Sequence, residues 1–158
     1  MKRDSLLKPL LLALGIALLV YVTFYTAIER RRNIKGPWEV TFASDISGVP
    51  SIQINQTTLG ITNVQIRFVG TTNSLGRGAR KLNFAEARAV PFDVPAGAPF
   101  GQCVFLDTTF LPGTVVFDLF GHEIQVLPRV LTIDRAERAW RPGEIIELTN
   151  RQPVATGK

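Results

Sequence analysis

One cysteine and one histidine among 158 residues leave this chain nearly without the side chains from which most metal and nucleophilic centres are built. Zinc sites draw several ligands from Cys and His, which Cys103 and His122 cannot supply between them. A single cysteine closes no disulfide within the chain, so cysteine usage says nothing of redox compartment. Cys103 opens an expected strand without a flanking motif that would lower its pKa, which suits a buried small apolar residue better than a nucleophile. Gly-x-Ser-x-Gly is missing, and Gly76-Arg77-Gly78 has no following helix whose N-terminus could hold a phosphate. The carboxylates, among them Asp45, Asp93, Asp107, Asp118, Asp134, Glu137, Glu144 and Glu147, are dispersed without the Asp-x-Asp-x-Asp-Gly spacing of a calcium loop or the aromatic cleft of a glycosidase pair. The expectation is a protein that is not an enzyme, with no cofactor and no metal.

Charge of one sign is also scarce where it would matter for nucleic acid. The chain holds eighteen Lys and Arg against thirteen Asp and Glu, a net of +5. Residues 1–35 contain seven of those bases and two of the acids, so they carry the whole excess, and residues 36–158 hold eleven of each. The folded part therefore has no polyanion footprint, and nucleic acid is not an expected partner. A small cluster, Arg77, Arg80 and Lys81, reads as a solvated loop or as a contact patch.

What the chain does have is an uncharged run over residues 9–28, bracketed by Lys2, Arg3 and Lys8 on one side and by Glu29, Arg30, Arg31 and Arg32 on the other. Twenty such residues at about 1.5 Å each cover the roughly 30 Å hydrocarbon core of a bilayer. Tyr21 and Tyr25 sit toward the C-terminal end of the run, and Arg30, Arg31 and Arg32 follow where anionic headgroups would meet them. The run is too long for the apolar centre of a secretory signal, and no Ala-x-Ala-like site follows it. A pilin-like leader would place Glu five residues after Gly15, where Val20 stands. The expected plan is a basic tail (1–8), a single transmembrane helix (9–28) and a polar connector (29–36). Bases on the two sides nearly balance, and the order of short tail, span and β domain favours an extracytoplasmic domain, periplasmic or at the cell surface. Ala13 and Ala17 form a small-xxx-small pair with Gly15 between them, which suits helix packing and allows a homo-oligomer. The span holds no ionisable residue, which argues against conduction by this helix itself.

After Gly36-Pro37 the apolar period changes to two. Trp38, Val40 and Phe42, then Ile52 and Ile54, then Val64, Ile66 and Phe68 alternate with polar residues, as half-buried strands do. A strand is expected over 81–85, and residues 86–101 read as a long Pro-stiffened loop whose Phe92, Val94 and Phe100 either pin it to the domain or serve as contacts. Strands are expected again over 103–110, 114–120, 123–127, 130–134 and 144–149. Gly121-His122 is expected as the centre of a type II′ turn, with His122 exposed and Asp118 and Glu123 nearby in sequence. Trp38 is assigned to the core and Trp140 to the surface, as a contact for sugar or protein. Asn55-Gln56-Thr57 matches a glycosylation triplet.

These features predict an N-terminal single transmembrane α-helix followed by an all-β domain (37–150), an antiparallel β-sandwich of jelly-roll-like type, with a flexible tail over 151–158. The expected function is a single-pass membrane-anchored accessory or interaction protein, its partners the lipid bilayer and another membrane or surface protein. The alternative is a membrane-anchored carbohydrate- or lipid-binding module that uses the 86–101 loop and Trp140.

Overall fold

A computed structural model describes residues 7–71, 80–83 (backbone only) and 98–149. The apolar run and its basic flank form one helix, α1 (Leu7–Asn33), with Pro9 in the first turn, where the missing N–H costs nothing. Its 27 residues reach about 40 Å at 1.5 Å each. None is buried, and large apolar side chains from Leu7 to Ile28 are exposed around the whole circumference. A helix that is apolar on all sides belongs in a core or a bilayer, and α1 is long and apolar enough to cross a membrane. Its threonine hydroxyls are satisfied within the helix: Thr23 Oγ1 donates to Leu19 O at 2.7 Å and Thr26 Oγ1 to Val22 O at 2.9 Å.

Ten strands follow among the described residues: β1 (Glu39–Ser44), β2 (Pro50–Gln56), β3 (Ile61–Val69), β4 (Arg80–Asn83), β5 (Gly101–Asp107), β6 (Thr114–Leu119), β7 (His122–Val126), β8 (Leu131–Ile133), β9 (Ala136–Arg138) and β10 (Ile145–Thr149). They form two five-stranded sheets, in the orders β10-β3-β2-β1-β4 and β5-β6-β7-β8-β9. Each sheet turns an apolar face to one shared core. Trp38, Val40, Phe42, Ile52, Ile54, Val64, Ile66 and Phe68 come from the first sheet and its entry, and Val115, Phe117, Leu119, Ile124 and Val126 from the second. Phe42 meets Phe117 edge-on across the two sheets, with ring centroids 5.8 Å apart.

Several expectations change. The domain is only mostly antiparallel, because β10 runs parallel to β3. The chain reaches β3 at the end where that strand begins, with Gly143 N donating to Thr62 O and Gln65 N to Glu144 O, both at 2.8 Å, so it can only run alongside. A jelly roll carries successive strands from sheet to sheet; here β1 to β3, and then β5 to β9, each stay within one sheet, and the jelly-roll order does not appear among the described residues. The β6–β7 turn is centred on Phe120-Gly121, at φ 53° and 78°, which is the sign pattern of a type I′ turn and moves His122 into β7 opposite Leu119. Arg80 and Lys81 lie on β4, paired with β1, rather than in a loop. Arg77, Phe92, Val94, most of the 86–101 loop, the end of the expected 81–85 strand, residues 1–6 of the basic tail and the 151–158 tail lie outside the described residues.

Candidate functional site

Four bases, Arg30, Arg31, Arg32 and Lys35, and the last exposed apolar side chain of the helix end, Ile34, meet where α1 enters the domain. The helix ends with Gly36 N donating to Asn33 O at 3.1 Å, Gly36 having φ 71°, and Pro37 then prevents continuation. The next carbonyls would be bare in an ordinary linker. Here Gln56, at the end of β2 and 3% exposed, points its amide Nε2 at Lys35 O (2.6 Å), Gly36 O (2.9 Å) and Pro37 O (3.2 Å), while its Oε1 accepts from Leu59 N at 3.2 Å. From the other side Leu111 N donates to Arg32 O at 2.7 Å, and Trp38 Nε1 donates to Gly113 O at 3.0 Å. Gly113 is required there: its φ is 73°, and a Cβ would lie 2.0 Å from Asp107 O. The helix end is thus clamped between the end of β2 and the turn that joins β5 to β6.

A groove of about 580 Å³ lies under this clamp. Arg31, Ile34 and Lys35 form one wall, and Phe110, Pro112 and Pro128 stand on the other. Ile34 is 67% exposed and Phe110 53%, large values for side chains of that type. The Arg32 guanidinium stands 6.0 Å from the centre of the Phe110 ring and pairs with Glu29 at 3.4 Å. Neither Arg31 nor Lys35 has an ion pair among the described residues. Asp107 also lines the groove, and its carboxylate accepts the Thr109 N–H at 3.0 Å.

Other candidates fall elsewhere. Tyr21 and Tyr25 stack on the exposed helix surface with centroids 6.1 Å apart. Ala13 and Ala17 share one helix face, but Gly15 lies about 200° round the axis from Ala13, so the three do not form one packing surface. Arg30 is exposed on the same helix end as Arg31. Trp140, expected at the surface, is half-buried against the core: its ring lies 5.5 Å from that of Trp38 and its Nε1 donates to Leu127 O at 2.9 Å. Phe100 is 6% exposed and packs on Phe42 and Phe120, which makes it a peg rather than a contact.

His122 is buried, not exposed as expected. Nδ1 lies 2.7 Å from Asp134 Oδ2 and Nε2 lies 2.8 Å from Thr149 O, so the ring ties the β8–β9 turn to the end of β10 in the other sheet. Asp118 and Glu123, its neighbours in sequence, face each other across β6 and β7 on the exposed side, away from the ring. Among the described residues no three His, Cys, Asp or Glu side chains are arranged to hold a metal ion. Cys103 is buried, and loss of solvent pushes its thiol up to about 11, against a weaker lowering by its contact with Phe105 O.

Gln56 and the 108–113 turn were missed by sequence reasoning, although Gln56 carried a signal. It continues the Ile52, Ile54 register, so a period of two places a long amide on the apolar face, where only a buried partner would justify it. No protein-family model, no characterised protein and no solved structure matches the chain.

Proposed function

We propose that the chain is a single-pass membrane-anchored interaction protein, in which α1 spans the bilayer and the β domain, packed as a sandwich, binds another protein at the extracytoplasmic surface. The observation that supports this reading is the clamped junction. A recruitment module on a tether needs no fixed orientation, whereas here Arg32, Lys35, Gly36 and Pro37 all give their carbonyls to the domain within one turn of the helix end. An orientation held so closely suits a subunit that presents one surface at a set height above the membrane. The role is non-catalytic, and sugar recognition through Trp140 loses its support because that indole is engaged with Trp38 and Leu127.

The test is made on the full chain in its native membranes. Carbonate washing should leave it in the membrane, and gentle detergent should release a complex of defined stoichiometry that survives replacement of residues 7–28 by an unrelated apolar helix. Release by carbonate sinks the anchor, and a monodisperse monomer sinks the interaction role. Sidedness is read separately with Ile46→Cys, because Ile46 is fully exposed on a turn while the native Cys103 is buried. An impermeant maleimide should label it in intact cells; labelling only after permeabilisation places the domain in the cytoplasm.

A further inference from the structure

We propose that the groove under the helix end binds one anionic phospholipid, with its phosphodiester between Arg31 and Lys35 and its glycerol region against Ile34, Phe110 and Pro112. This rests on α1 being a membrane span. Depth supports it first: Arg31 lies three residues past Ile28, an axial rise of about 4.5 Å, and the headgroup layer on each side of a bilayer is roughly 5–7 Å thick. The groove opens at the level where lipid phosphates are found. Its chemistry is amphipathic in the same sense as a phospholipid, with two cations lacking ion pairs beside two exposed apolar side chains.

The one acid of the lining, Asp107, already accepts the Thr109 N–H, and the two bases outnumber it. Arg32 Nε, shielded from solvent beside Phe110, has no hydrogen-bond acceptor among the described residues. A volume of about 580 Å³ is that of a small-molecule site, enough for a headgroup and glycerol while the acyl chains remain in the bilayer. Residues 36–158 are neutral overall, and four of the seven bases of residues 1–35, Arg30, Arg31, Arg32 and Lys35, stand at this end of the helix against the single acid Glu29. An acidic protein segment would match the two bases but would leave Ile34 and Phe110 unmatched, which favours the lipid.

The experiment is native mass spectrometry of the full chain released from nanodiscs of phosphatidylglycerol or phosphatidylcholine with identical acyl chains. One phosphatidylglycerol per chain should be retained while phosphatidylcholine is stripped. Arg31→Gln with Lys35→Gln should weaken retention by roughly tenfold or more, from two lost surface charges. Arg30→Gln, outside the groove, should cost clearly less than Arg31→Gln, and Lys8→Gln at the far end of the span should leave retention unchanged. Equal retention of the two lipids, or an equal loss from Arg30→Gln and Arg31→Gln, would overturn the site in favour of diffuse attraction. Displacement by excess glycerol 3-phosphate would also overturn it, because a soluble phosphate compound would then be the ligand. A chain that resists carbonate yet retains no lipid refutes this site and leaves the anchor intact; a chain that carbonate removes refutes both.

Discussion

Replacing Gln56 by leucine tests whether the helix and the β domain are joined as tightly as the geometry indicates. The substitution keeps the volume and removes both functions of the amide: two N–H groups shared among Lys35 O, Gly36 O and Pro37 O, and one oxygen accepting from Leu59 N. Three hydrogen bonds at about 1 kcal/mol each give a loss of about 3 kcal/mol. Burying an apolar side chain instead of an amide returns about 1 kcal/mol, and water reaches some of the freed carbonyls, leaving a net cost of about 2 kcal/mol. For a domain of about 110 residues, where 1 kcal/mol moves the melting temperature by about 4 °C, that is a fall of about 8 °C.

Circular dichroism of the full chain in detergent measures the fall, and hydrogen exchange locates it: the Leu59 and Leu111 amides should exchange faster, while those in β6 and β7 should keep their protection relative to global opening. Gln53→Leu is the control, since Gln53 is half-buried on the opposite face and its Nε2 donates to Asn63 Oδ1 at 2.7 Å, away from the helix end. A fall of under 2 °C for Gln56→Leu, or the same fall for Gln53→Leu, would refute the clamp.

His122→Ala should destabilise by about 3 kcal/mol, from one charge-assisted and one ordinary hydrogen bond, and its combination with Asp134→Ala should cost clearly less than the sum; additive costs in urea titrations would deny the pairing. Cys103 should resist maleimide at pH 8 in the folded protein and react once urea is added, because burial keeps the thiol protonated well above that pH; rapid native labelling, read by mass, would contradict this. The Asp45 carboxyl is held below the usual aspartate range, first by the Val49 N–H and also by Arg67 and the Ser47 N–H, against desolvation. A depressed folded pKa contributes stability that is present above the unfolded value and lost as pH falls through the folded one. Melting temperatures below pH 4 should therefore fall more steeply in the parent than in Asp45→Asn, and parallel curves would remove the effect.

Strands were legible where burial imposed a period of two on the chemistry. Val40 and Phe42, Ile52 and Ile54, and Val64, Ile66 and Phe68 all reach the core as alternation requires. β9 left no such trace, because Ala136, Glu137 and Arg138 are all exposed and its existence depends on β8 beside it. The parallel placement of β10 was equally hidden: nothing in the residues of Ile145–Thr149 specifies that β3, some eighty positions away, is its neighbour. The turn at Gly121 was misplaced by one residue because glycine was assigned the first central position. Phe120, a bulky residue, takes a positive φ there instead, and that single shift carried His122 from the surface to the core. Trp140 misled for a related reason, since charged and turn-forming neighbours describe its backbone while its indole reaches across to Trp38.

The clamp and the lipid groove depend on each other through distance. A flexible linker over residues 29–36 would have a root-mean-square span of about 5–6 Å times the square root of its length, roughly 16 Å, more than twice the thickness of the headgroup layer. A groove carried on such a tether would spend most of its time away from the phosphates. With α1 continuous to Asn33 and its end bonded to β2 and to the 108–113 turn, the height of the groove is set by where the apolar run stops, at Ile28. Gln56→Leu should therefore reduce retention of phosphatidylglycerol although Arg31 and Lys35 remain. Retention equal to that of the parent, in a variant whose junction amides exchange faster, would mean that the two bases hold the lipid without help from the clamp.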